Sequence, residues 1–287
     1  SRGWALGYLG GGLLLALNLA LVTLHEPLGL STGTAVRLSL LSAAVWWAGF
    51  TWVPYLGLRN RPPASTEREP GGLVRQSFGQ LAATLRDMRR YPMTLTFLVA
   101  YLFFNDGIQT VIASASVYGD KELGFGQSAL IATILLVQFV AFGGALLFGR
   151  LAARIGSQRV ILAGIAIWMV VVVVAFFVPD ENLPLFLLLA VAIGVVLGGT
   201  QALSRSFFSQ LIPRGREAEY FSLYQACERG TSWLGTLVFG LVHQWTDSYR
   251  PAIVALIVFF LVGGLLLRRV DARRGILEAG NPLPRVV

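Results

Sequence analysis

GGTQALSRSFFSQLIPRGREAEYFSLYQACERG, Gly198–Gly230, is the stretch whose reading decides the fold of this chain. It opens inside one apolar run and closes inside the next, with a charged crossing between them. Gln201 and Arg205 share a helical face at i, i+4 spacing, and Ser204 lies beside them. Beyond the turn, Gln225, Glu228 and Ser232 repeat at helical spacing, with Arg229 next to Glu228. Such groups are costly in an apolar helix: an acid or base at the bilayer centre costs about 2.5–3.5 kcal/mol on insertion scales. Glu228 is therefore expected to have a function, whereas Arg205 fits the headgroup layer as readily as a functional place.

Working outward, the composition sets the class. Hydrophobic residues make up 55% of the 287 and charged residues 13%, with a mean hydropathy of +0.67. A soluble domain carries about 25% charged residues, so a polytopic all-α membrane protein is expected. The net charge of +8 does not point to nucleic acid, because the basic residues lie in short loops between apolar runs. The single cysteine, Cys227, excludes a disulfide within the chain, and His25 and His243 lie far apart. No metal-ligand set or nucleophile–base pair can be assembled from this inventory, and neither a cofactor nor an enzymatic activity is expected.

Eight runs are long enough to cross a bilayer, which takes about 20 residues: roughly 4–24, 37–56, 93–117, 128–149, 158–178, 184–206, 220–242 and 250–268. They are continuous, without the period-two alternation of a barrel. Arg2 precedes the first run, but no convincing small-residue cleavage site follows, so it is counted as a span rather than a signal sequence. If each run crosses, 19 of the 23 basic residues fall on one side, with both termini, and only Arg37, Lys121 and Arg250 on the other. The positive-inside rule makes the richer side cytoplasmic, which suggests a cell (inner) membrane location. None of the 12 prolines falls mid-span, which argues against a substrate site built from proline-broken helices.

The organisation that follows is two helices in 1–56, a cytoplasmic linker in 57–92, six helices in 93–270 and a cytoplasmic tail in 271–287. In the linker, Val74, Phe78, Leu81, Leu85 and Met88 mark one apolar face of an expected amphipathic helix lying on the membrane surface. A solvated spacer helix fits the same pattern. Gly3, Gly7 and Gly11, and also Gly194 and Gly198, are spaced for close helix contact. Trp46, Trp47 and Trp52 read as packing or interface anchors rather than a substrate cage.

The stretch Gly149–Arg159, GRLAARIGSQR, resembles the cytoplasmic signature of the major facilitator superfamily, with Ala153 where an aspartate is usual. AYLFFNDGIQT (Ala100–Thr110), together with GGTQALSRS, FSQLIP and AEYFSLY, resembles one branch of it, the vacuole effluxer family that includes the autophagy-related amino-acid permease. The resemblance is carried by the C-terminal two thirds, and Thr236 stands where proline is expected. It implies twelve helices in two halves and export of neutral amino acids. On that pattern the eight spans correspond to helices five to twelve, and the partners include missing N-terminal helices of the same protein. A natural eight-helix protein is the alternative.

Transport would need polar groups at depth. Tyr101, Asn105 and Gln109 form one helical stripe, with Asp106 and Thr110 beside it. Asp106 lies about 20 Å into its run and Glu228 about 12 Å into its own, at 1.5 Å per residue. Asn105, Asp106, Gln109, Gln201, Gln225, Glu228 and Arg229 are the candidates for binding a small-molecule substrate or coupling to protons. A helix–helix hydrogen bond is the plainer role for Asp106, and mutual neutralisation the plainer one for Glu228 and Arg229. A cytoplasmic gate is expected from Gly149, Arg150, Arg154, Gly156 and Arg205 with Glu217 and Glu219. The function expected is secondary active transport, with neutral amino-acid efflux foremost. A non-transporting scaffold or receptor, or an exporter of drugs or other metabolites, stands as the alternative.

Overall fold

The computed structural model describes residues 2–58, 79, 83–230, 233–284 and 286. Among them every regular element is helical. The helices are α1 (Arg2–Thr23), α2 (Thr32–Gly57), α3 (Pro92–Val117), α4 (Gln127–Ile155), α5 (Ser157–Phe176) and α6 (Leu183–Gln210). They are followed by α7 (Glu217–Gly230), α8 (Trp233–Thr246), α9 (Tyr249–Ala255), α10 (Ile257–Arg268) and α11 (Ala272–Glu278).

Seven helices are long and apolar enough to cross a membrane, α9 and α10 counting as one from Tyr249 to Arg268. Together they make a multi-pass membrane protein. The run expected at 220–242 accounts for the difference from eight. It falls on α7 and α8, each of 14 residues, and α7 alone carries Glu217, Glu219, Glu228 and Arg229. Thr231 and Ser232, between the two, lie outside the described residues.

Local chemistry sets the remaining boundaries. The Asn182 side chain accepts from Leu185 N–H at 3.1 Å and Pro184 occupies the first turn of α6, where its missing N–H costs nothing. Gly156 sits at φ +93° between α4 and α5, a conformation that a Cβ disfavours. Gly149, at the start of the signature stretch, lies inside α4, which continues through Arg150 and Arg154 to Ile155.

The helix at the centre is α3, whose buried residues run from Thr94 to Ser114 and meet α6, α7, α8 and α10. The tightest crossing joins α4 to α6. Methyl groups on Gly144 and Gly198 would run into the backbone carbonyls of Val195 and Ala141, so Gly194 and Gly198 do serve close packing. Gly3 and Gly7 have nothing near them, and Gly11 meets only Gln138. α1 lies along α4 and touches α6, while α2 packs on α1 and exposes Trp47 and Trp52.

Of the expected linker face, Val74, Phe78 and Leu81 lie outside the described residues. Residues 83–87 are helical and lead into a 3-10 turn, Met88–Arg90, in which Met88 is fully buried and Leu85 exposed. The tail is docked rather than free. Ile276 of α11 is buried, and Asn281 donates to the carbonyls of Gln210 and Ile212 at 2.9 and 2.8 Å.

Arg250, read from sequence only as a loop charge, ties three helix ends together. It donates to Glu122 Oε1 (3.1 Å), to the carbonyls of Phe176 (2.9 Å) and Val178 (2.7 Å), and to Asp180 (2.6 Å). Glu122 also accepts from Ser248 Oγ and Tyr249 N–H. Asp180 is largely exposed and adds little. Arg250→Ala would still leave the Glu122 carboxylate and two carbonyls short of a donor, at about 1–3 kcal/mol. We expect a melting temperature several degrees lower in detergent, with Asp180→Ala close to unchanged. An unshifted Arg250→Ala would show the clasp to be incidental.

Candidate functional site

The site is built where α3 meets the junction of α7 and α8. Asn105 and Asp106 are both 1% exposed. Asn105 Nδ2 donates to the Glu228 carbonyl near the end of α7 at 3.2 Å, and Asp106 Oδ2 accepts the Gly235 N–H at the start of α8 at 2.8 Å. Two successive residues of α3 thus grip both helices at the junction. Gly235 has no room for a Cβ, which would meet Thr110 Oγ1 and come within 3.3 Å of the Asp106 carbonyl.

These bonds use only half of each polar head. Asn105 Oδ1, Asp106 Oδ1 and Thr110 Oγ1, and Ser204 Oγ on α6, are buried and have no hydrogen-bond partner among the described residues. Buried polar atoms are normally paired. Three such oxygens lie within two turns of one helix, all of them buried.

The other expected residues are placed more loosely around this core. Gln109 is half-buried on the same face of α3. Glu228 contributes its backbone carbonyl; its side chain is half-buried, and Gln225 and Arg229 are exposed. Ser232 lies outside the described residues. Arg205 stacks over the Phe221 ring at 5.1 Å, above the close Tyr101–Tyr224 stack (4.2 Å). Gln201 accepts from the Tyr8 hydroxyl at 3.1 Å, a bond from α1 to α6 across 193 residues. Nothing at position 8 announces this, because an isolated tyrosine in an apolar run looks the same whether or not a partner faces it.

The expected gate residues do not meet in this conformation. Among the described residues Arg150 and Arg154 are exposed and make no ion pair. Glu219 pairs instead with Arg216 (2.7 Å) and accepts from Thr84 (3.0 Å), while Arg216 also pairs with Asp87. The reason is local. Arg216 lies three residues before Glu219 and reaches it at i, i+3 spacing, while its second guanidinium nitrogen takes Asp87 beside the start of α3. Backbone N–H groups of Glu217 and Gly215 hold the Glu217 carboxyl below the usual range.

The chain matches the family described as vacuole effluxer Atg22 like over residues 1–280. It belongs to the Atg22-like vacuole effluxer family. The match extends through α1 and α2 and is not confined to the C-terminal two thirds that carried the sequence resemblance. An uncharacterized MFS-type transporter, YxiO of Bacillus subtilis, is 32% identical over 99% of this chain and 66% of its own length. Autophagy-related protein 22 of Yarrowia lipolytica is 32% identical over 96% of this chain and 51% of its own. The chain therefore spans between half and two thirds of these Atg22-like relatives. A bacterial homolog of the human lysosomal transporter Spinster, solved inward-facing and unoccupied, aligns with a TM-score of 0.48 and 16% identity, covering 98% of this chain and 70% of that one.

The Tyr8–Gln201 bond can be tested by itself. Tyr8→Phe and Gln201→Leu should each weaken the hold of α1 on α6 and lower the stability in detergent by about 1 kcal/mol. The double variant should be no worse than either single one. Additive effects would mean that the two side chains act separately.

Proposed function

We propose that the protein of which this chain is part is a secondary active transporter that exports a small neutral organic solute, foremost a neutral amino acid, by alternating access. The observation that carries this is the Asn105–Asp106–Thr110 cluster. Each unsatisfied buried polar group costs about 1–3 kcal/mol, and a scaffold gains nothing from three at the heart of its central helix. The family's description as an effluxer and that of YxiO as an MFS-type transporter support the reading. In it, Asp106 takes up a proton or the ammonium of the solute, and Asn105 and Gln109 orient the polar head. Gln201, Gln225, Glu228 and Arg229 serve the opposing wall.

The chain enters and leaves on the cytoplasmic side of a cell membrane in this proposal, supported by the arginine bias. α7 and α8 together make one further crossing, supported by their contacts. At their start Arg216 meets Asp87 beside the first turn of α3, and just past their end Ser248 meets Glu122 beyond its last. The eight crossings then correspond to helices five to twelve of the family fold. Arg150 and Arg154 approach Glu217 and Glu219 only when the cytoplasmic side rearranges.

Counterflow of radiolabelled neutral amino acids into liposomes holding the full-length protein tests the proposal. Saturable exchange of at least one is expected. Flux that never exceeds that of empty liposomes would remove the amino-acid reading.

A further inference from the structure

On the same face of α3 as the polar stripe, but nearer its C-terminal end, the structure holds a cavity of about 230 Å³ bounded by α3, α4 and α6. Its walls are apolar, formed chiefly by Ile112, Ala115, Leu130, Ile134, Ile193 and Leu197. Drug-sized ligands occupy roughly 300–1,000 Å³, so this cavity is scaled to a single small group.

Its position along the helices shows what kind of group. On α3, Ile112 and Ser116 continue the Tyr101–Asn105–Gln109 stripe at steps of three and four residues. On α6, Ala190, Ile193 and Leu197 lead by the same steps to Gln201. The two helices run antiparallel. Thr94 at the start of α3 donates to the Leu211 carbonyl just past the end of α6, and Gly119 beyond the end of α3 lies against Phe186 at the start of α6. Both walls therefore lose their amides in the same direction. Gln138 of α4, which lies against Gly12 of α1, adds a third amide at the cavity. The outcome is an amphiphilic slot, with amides towards one end and mainly hydrocarbon towards the other.

We infer that this cavity receives the uncharged apolar side chain of the solute, and that Ala115 and Ile193 set the size of side chain accepted. The inference rests on the transport reading for the solute itself. Ala115 is the smallest residue on the α3 wall that is only partly buried, so enlarging it fills the cavity without pushing into packed core. Ile193 lines the α6 wall, and shortening it enlarges the space. Each methylene gained or lost in an apolar pocket changes discrimination by about 10–200-fold.

The test is equilibrium binding of tritiated alanine, leucine and phenylalanine to the purified full-length protein, with counterflow measured in parallel. Ala115→Leu should weaken leucine by at least about tenfold and leave alanine within about twofold. Ile193→Ala should strengthen phenylalanine relative to leucine. Equal losses for alanine and leucine, or no change for either, overturn the assignment. Size-selective binding without counterflow supports the cavity and removes the transport reading. Counterflow that Ala115→Leu leaves unaltered for every side chain does the reverse. A wild-type protein that binds none of the three overturns both. A co-purifying lipid displaced by Ala115→Leu, with amino-acid binding unchanged, would show that an acyl chain occupies the space and overturns the assignment.

Discussion

Asp106→Asn is expected to give a folded protein that has lost at least about tenfold of its solute flux, the equivalent of 1.4 kcal/mol or more. Asparagine matches aspartate in shape and retains one acceptor, so the 2.8 Å bond from Gly235 N–H survives and α8 keeps its anchor. What it loses is the ability to carry a charge or exchange a proton at Oδ1, the oxygen that has no partner among the described residues. A group that only joined two helices would tolerate the change. Asp106→Leu removes the acceptor too and should lower folded yield, which separates anchoring from transport. The measurements are monodispersity and melting temperature in detergent beside counterflow in liposomes. An Asp106→Asn protein with flux within about twofold of wild type would reduce Asp106 to a packing residue.

The largest effect on stability is expected at Gly198. A methyl group there would overlap the carbonyl oxygen of Ala141, so the α4 and α6 backbones must part to admit it. Gly144 and Gly194 sit on the same crossing, against the carbonyls of Val195 and Val137, and one displaced contact loosens all three. Overpacking costs about 1–3 kcal/mol. Gly198→Ala is expected at the upper end, because no side chain can move aside. Gly199→Ala is the internal comparison. Its methyl would meet the Phe148 ring, which can be trimmed. Phe148→Leu should therefore rescue much of the Gly199→Ala loss, while no truncation near Ala141 rescues Gly198→Ala. A Gly198→Ala protein that melts with wild type would mean that the helices do not cross at this distance.

The membrane class, the helix-only architecture, seven of the spans to within a few residues and the family were all determined by the sequence alone. Their causes are local. Runs of apolar residues as long as a bilayer is thick, proline or asparagine at helix starts and a glycine at φ +93° act through nearest neighbours, and nearest neighbours are what a sequence displays. Gly194 and Gly198 were legible for the same reason, since their spacing places both on one face.

Only the tertiary structure decided which polar residues meet. Asp106 read as deep and polar from its distance along α3, but its partner is a backbone N–H 129 residues away, which leaves no trace in composition or spacing. Tyr8 was silent until Gln201 faced it. Glu219 belonged by charge and side to Arg154, yet it pairs with Arg216, because a guanidinium three residues away on the same chain is held within reach.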